Sequence, residues 1–383
     1  MPHKLGNVHF LVICIANFFL FMSMYLLLSV LPWGMVGRLN VPIFQSGCYP
    51  LFVVAGMLLI SPFHGHLVDA FRRRTVCFVG FVFVVLTTFG YMLVKEITIF
   101  YLLAFVQGVA FGMAAESGIT LAIDIVQSSL RSRGNLKFQG FGVSGILVGI
   151  IAGVAVYKQL GMNFLMFASI ASGVIGAIFV LGANVPFRAP IENSILSIDR
   201  FFLLRGWLPA LNICLTAFAI GLLIPLAFTY WDSFINIGLL PQIYLLSGLL
   251  GGIVLSWLIL RLFLNEKYKN YSVFLGLALL LLAFYLLNIR LYPVFIAFLM
   301  GCSLSIIIPR FLMMLISLSS HCERCTANTT TLLAWQIGLL VGVSVAYILN
   351  LSTVIYIGYS VVLFVLLIYM VATNHYFMKR KIR

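Results

Sequence analysis

Twelve apolar runs divide this 383-residue chain, and they constrain its fold more than any other feature. They cover about 8–31, 45–64, 75–94, 98–126, a fifth run that carries Gly145, Gly149 and Gly153, then 162–183, 208–230, 241–263, 271–289, 291–318, 327–350 and 352–374. A helix needs about 20 apolar residues to cross a hydrocarbon layer of ~30 Å, and the runs have that length. In lipid an unpaired backbone N–H or C=O finds no water, so such a run crosses as a helix. Composition agrees, because 63% hydrophobic and 8% charged residues lie far outside the range of soluble domains. The expected fold is therefore all-α and integral to a membrane, with about twelve transmembrane helices.

Charge sets the expected topology. A net charge of +14 would suggest nucleic acid as the partner of a soluble chain. Here the basic residues sit in short segments between runs, so they read as topology signals and no nucleic-acid partner is expected. Eighteen of the 23 lysines and arginines fall on one side, from Arg72, Arg73 and Arg74 to the terminal cluster at Lys379, Arg380, Lys381 and Arg383. Arg38, Lys95, Lys158 and Arg290 fall on the other, and Arg310 lies inside a run. This asymmetry predicts an even number of spans with both termini in the cytoplasm. The longest polar stretch carries Pro186, Arg188, Pro190, Glu192, Asp199, Arg200 and Arg205. It divides the chain into a first six-helix bundle over 1–185, a linker over 186–207 and a second bundle over 208–383. Ile195, Ile198, Phe202 and Leu203 form an apolar set in that linker, suited to lie on the membrane surface.

Other chemistries find little support. The seven cysteines are scattered and imply no disulfide framework. Cys322 and Cys325 beside His321 resemble a metal cluster but lack a second ligand pair, so no metal or other cofactor is expected. His3, His9, His64, His66, His321 and His375 read as terminal and loop residues with no catalytic grouping, so the chain is not expected to be an enzyme. The first run is too long for a cleaved signal and lacks a small-residue cleavage site.

Between the second and third runs stands Gly65-His66-Leu67-Val68-Asp69-Ala70-Phe71-Arg72-Arg73-Arg74, read as a tight loop at the membrane surface. Its G-x-L-x-D-x-x-x-R-R pattern resembles the loop between helices 2 and 3 of the major facilitator superfamily of transporters. The resemblance implies close helix approach at Gly65 and a polar latch of Asp69 with Arg73. It also implies pairing of that arginine with Asp124, at the end of the fourth run. The family usually has glycine where Arg72 stands. Gln107, Gly108 and Gly112 resemble the fourth-helix signature, with Ala104 at the position of an arginine that the family links to proton coupling. Gly145, Gly149 and Gly153, four apart, form a small-residue ridge expected to face a neighbouring helix of the other half. The ridge resembles the fifth-helix motif of the family's antiporters, without its proline. In the second half, 261–269 is basic but has lost the loop pattern, while Gly338 and Gly342 repeat the close-packing spacing.

The resemblance implies secondary active transport of a small-molecule substrate by alternating access, with a central cavity lined by the first, fourth, seventh and tenth helices. On this chain that selects Asn17, Tyr25, Gln107, Glu116, Asn212, Thr216 and Arg310 as cavity or coupling candidates, although a helix-to-helix bond suits Asn17 better than a substrate contact does. Glu116 and Arg310, each deep in its run, are expected to pair across the halves in at least one state, the alternative being satisfaction within their own halves. An otherwise apolar and aromatic wall suits an amphipathic or hydrophobic solute. The expected activity is proton-coupled efflux by a monomer in contact with membrane lipid, in a bacterial inner membrane. A proton- or sodium-coupled importer and a transport-dead membrane sensor are the alternatives.

Overall fold

A computed structural model describes residues 8–127, 130–184, 195–196, 201–231, 247, 250–252, 254–255, 258, 266–289, 293–320 and 323–380. The described residues form helices and turns, with no strand among them. The first unit holds α1 (Val8–Leu28), the short α2 (Leu31–Leu39) and α3 (Ile43–Ser46), then α4 (Tyr49–Ala70), α5 (Arg73–Tyr91), α6 (Ile97–Ile125), α7 (Arg131–Leu160) and α8 (Met162–Gly182). The second holds α9 (Trp207–Trp231), α10 (Glu266–Asn288), α11 (Pro293–Leu318), most of α12 (Arg324–Ile348), α13 (Leu351–Ile368) and α14 (Asn374–Arg380). Eleven helical segments among the described residues are long and apolar enough to cross a membrane. The twelfth expected span, 241–263, lies largely outside the described residues, but 247, 250–252, 254–255 and 258 are helical.

Helix boundaries follow local chemistry. Pro32 occupies the first turn of α2, where its missing N–H costs nothing, so the first expected span divides before it. Gly161, at φ 87°, reverses the chain between α7 and α8 in a conformation that L side chains rarely adopt. The loop expected at 65–74 is much shorter than the sequence suggests. Helix α4 runs through His64, Gly65, His66 and Asp69 to Ala70, and α5 starts at Arg73. Arg72 has φ −63° and ψ 120°, an extended conformation open to any residue, which is why glycine is dispensable there. The basic segment at Arg131 is likewise the first turn of α7, and Arg324 opens α12.

In the first unit α1 packs on α7 and α8, while α4 and α5 both pack on α6. Glycine sets the closest of these approaches. A Cβ on Gly56 would lie 2.1 Å from the Phe105 carbonyl oxygen, and one on Gly108 would lie 2.1 Å from that of Val53. The α4 and α6 backbones therefore touch, as transmembrane helices do when van der Waals packing drives association. The ridge of Gly145, Gly149 and Gly153 faces α1 of the same unit, correcting the expectation of a partner in the other half. A Cβ on these residues would lie 2.3, 2.9 and 2.5 Å from the carbonyl oxygens of Phe18, Met22 and Leu26. The second unit repeats the device. Gly338 and Gly342 of α12 would meet the Cys214 and Phe218 carbonyl oxygens of α9 at 1.9 and 2.2 Å.

The boundary between the units, at Arg205, falls inside the stretch expected as the linker, 186–207. Residues 323–333, at the start of α12, cluster with the first unit. One cause is Thr330, whose hydroxyl accepts the Leu203 N–H at 2.8 Å. Leu203 is thus buried rather than spread on a membrane surface, whereas Ile195 is exposed. Ile198 and most of the expected linker lie outside the described residues.

Candidate functional site

Helix α6 carries polar side chains at three levels, Gln107, Glu116 and Asp124, and each meets different partners. At the first level Tyr49 and Tyr91 both donate to Gln107 Oε1, at 2.7 and 2.9 Å, and Gln107 Nε2 lies 3.5 Å from Thr88 Oγ1. Phe100 closes this level from the side, its ring 5.5 Å from that of Tyr49 and 5.4 Å from that of Tyr91. All of these groups are buried. Gln107 therefore holds α4, α5 and α6 together instead of facing open space. Gln107→Leu would leave two buried phenols without their acceptor. It should destabilise the protein by about 1–3 kcal/mol, read as a lower thermal midpoint in detergent. An unchanged midpoint would remove this assignment.

The second level lies about 14 Å from the end of α6, counting ~1.5 Å per residue from Glu116 to Ile125. Glu116 is completely buried, and its Oε1 accepts the Ser61 hydroxyl at 2.6 Å. Ser61 also bonds the Met57 carbonyl oxygen at 2.8 Å, so its hydroxyl is held at the helix surface. Pro62 follows within α4 and brings no N–H to the helix ladder. One turn on, His64 places Nδ1 3.7 Å from Glu116 Oε2. Neither His64 nitrogen nor Glu116 Oε2 has a hydrogen-bond partner. His64 thus belongs to the helix interior, not to a loop, and sequence reading missed it. The available signal was its spacing of three from Ser61, which puts both on one face of α4.

The third level closes the end of the bundle. Arg73 bonds the Asp124 carboxylate of α6 and lies 3.4 Å from Asp69 on α4. Its Nε also reaches the Val68 carbonyl oxygen at 3.4 Å. The side chains of Asp124, Asp69 and Arg73 are 5%, 10% and 21% exposed, so the cluster is largely withdrawn from solvent. Cys325, in the first turn of α12, lies within Coulombic reach of Arg73, Asp69, Asp124 and Glu116. The two lower levels are linked along α4, which carries Ser61, His64 and Asp69. Gly65 is buried between them on α4.

The remaining sequence candidates have local partners. Asn17 donates to the Phe138 carbonyl oxygen at 3.0 Å and so ties α1 to α7. Tyr25 is fully buried in α1, its ring 6.4 Å from that of Phe21. In the second unit Asn212 donates to the Leu208 carbonyl oxygen at 3.1 Å and also reaches Thr373 Oγ1, while Thr216 donates to the Asn212 carbonyl oxygen at 2.7 Å. Arg310 lies 5.8 Å from the Phe377 ring centroid, within cation–π range. Glu116 and Arg310 thus each have partners inside their own unit. His321 and Cys322 of the metal-like cluster lie outside the described residues, and Cys325 is a free cysteine. Among the described residues no group of three metal-ligating side chains comes together.

The described residues form two helical units whose long apolar helices mark a membrane protein, with a carboxyl group buried inside one of them. The chain belongs to the Major Facilitator Superfamily, whose family model matches residues 13–343. Among solved structures it resembles the nucleoside transporter NupG, in a point-mutant form, with a TM-score of 0.64 and 15% identity over 94% of this chain and 99% of that one. It also resembles the human organic anion transporter MFSD10 (TETRAN), with a TM-score of 0.63 and 15% identity over 94% and 98% of the two chains. At such identity the likeness shows the fold. A comparison of the sequence with curated proteins finds no match.

Proposed function

We propose that this transporter couples proton movement to export of a small amphipathic organic solute by alternating access. The observation that carries the reading is Glu116, a completely buried carboxyl group far inside a membrane-spanning helix. An ionisable side chain there costs at least about 2.5–3.5 kcal/mol on insertion scales, and such groups characteristically serve ion or substrate pathways. Export is favoured by the glycine ridge of α7, which resembles the antiporter motif and seats the helix directly on the α1 backbone. The basic turn at Arg72, Arg73 and Arg74 and the basic end of α14 favour cytoplasmic placement of that face and of both termini, in a bacterial inner membrane.

The test is solute flux in proteoliposomes under an imposed pH gradient, using a lipophilic cation, a nucleoside and an organic anion as probes. The last two are chosen from the named substrates of the structural neighbours. At least one solute should move against the proton flow, with a rate that collapses when the gradient is dissipated. Glu116→Gln should reduce gradient-driven flux at least tenfold, equivalent to about 1.4 kcal/mol. Absence of gradient-dependent flux for all three classes would overturn the reading.

A further inference from the structure

We infer that Ser61, His64 and Glu116 form one buried proton-binding site, in which a single proton is shared between Glu116 Oε2 and His64 Nδ1. The inference deepens the proton-coupled reading above and rests on it. It starts from an incomplete hydrogen-bond count. Ser61 satisfies Glu116 Oε1 at 2.6 Å, but Oε2 and both imidazole nitrogens lack hydrogen-bond partners although both residues are over nine-tenths buried. Buried polar atoms are paired in the great majority of cases, so three unpartnered atoms on two facing side chains single out this pair. A carboxylate oxygen accepts and an imidazole nitrogen donates or accepts according to its proton. The 3.7 Å between Oε2 and Nδ1 closes to a hydrogen bond with a small side-chain rotation.

The chemistry balances simply. A proton arriving from water adds to a lone pair of the carboxylate or the imidazole, and the same O–H or N–H bond breaks on release. Nothing is oxidised, and the site's charge changes by one. The Ser61 hydroxyl has one hydrogen, for which Glu116 Oε1 and the Met57 carbonyl oxygen both serve as acceptors, at 2.6 and 2.8 Å.

The surroundings give that charge somewhere to act. On its own helix His64 is followed by Asp69, and from α5 Arg73 lies within Coulombic reach of it. Cys77 of α5 bonds the Ala114 carbonyl oxygen on α6, Asp124 lies two turns beyond Glu116, and Cys325 of α12 senses Glu116 and the Arg73 cluster together. From α1 and α7, Phe21 lies 5.2 Å from Phe111, Phe138 lies against Gly118, and Asn17 lines a small cavity with Ala114 and Gly118. A proton taken up at His64 and Glu116 therefore alters the field at Arg73, which holds α4, α5 and α6 together.

Infrared titration of the protein in lipid films tests the site without knowledge of the solute. Wild type should show a protonated-carboxyl component that grows on acidification and that Glu116→Gln removes from the signal of the other eight aspartates and glutamates. In Glu116→Asp the stretch should persist at a shifted frequency, which keeps the test sound if the glutamine variant folds poorly. His64→Gln should move the titration midpoint by about one pH unit or more, since one unit corresponds to ~1.4 kcal/mol of interaction. A carboxyl titration identical in wild type and Glu116→Gln, or a midpoint indifferent to His64→Gln, overturns the shared site. If the liposomes show gradient-driven flux while either spectroscopic result is negative, the transport reading stands and this site falls. If the spectra are positive but no flux appears, the reverse holds.

Discussion

Gly145→Ala is expected to destabilise the protein by about 2–3 kcal/mol, although alanine is ordinarily the better helix former. The added Cβ would sit 2.3 Å from the Phe18 carbonyl oxygen, which is backbone and cannot rotate away. The α1 and α7 helices would have to separate, and Gly149 and Gly153 would lose their contacts with Met22 and Leu26 as well. Between lipid-embedded helices such packing is a main source of association, because tails are as apolar as the side chains they would replace. Gly140→Ala on the same helix is the control. A Cβ there meets nothing within 4 Å, so the substitution should be neutral or stabilising by up to about 1 kcal/mol. Thermal unfolding of both variants in detergent reads the difference, and equal midpoints would end the account of the ridge.

Arg73→Ala should cost about 3 kcal/mol, the lower end of what breaking a buried ion pair costs. It removes the guanidinium that Asp124 is bonded to and that also reaches Asp69, from carboxylates only 5% and 10% exposed. The lower end applies because Arg73 itself is 21% exposed and water reaches part of the cluster. Asp124→Asn should cost about 1 kcal/mol, since the arginine keeps Asp69 and the Val68 carbonyl oxygen. Arg73→Lys should fall between, for an ammonium cannot serve both carboxylates with a planar fork. Unfolding midpoints in the order wild type, Asp124→Asn, Arg73→Lys, Arg73→Ala are the expected result. Equal effects of Asp124→Asn and Arg73→Ala would show that the arginine is not the hub.

Particular residues show how far local reading reached. Glu116 stood out because a carboxyl group inside an apolar run is costly wherever it points. His64 does not stand out, since the apolar run fades at His64, Gly65 and His66, and a hydropathy boundary reads as a helix end. Helix hydrogen bonds have no reason to stop where hydropathy falls, and α4 continues to Ala70. Asn17 and Gln107 read as cavity polar groups, yet each is engaged with neighbouring helices inside the first unit. A polar side chain in a span faces something polar, and a neighbouring helix answers that need as well as a solute does.

By itself the sequence determined that this chain lies in a membrane as about twelve helices and which family it joins. Those properties are sums along the chain: twenty apolar residues, a basic turn and a short motif carry their meaning without reference to distant segments. Only the tertiary structure decided that the glycine ridge seats α1, that Arg73 joins Asp124 to Asp69, and that His64 and Ser61 meet Glu116. Such pairings depend on how each helix is rotated about its axis and shifted along its neighbour. A face 100° away or one turn higher would present different partners from the same residues.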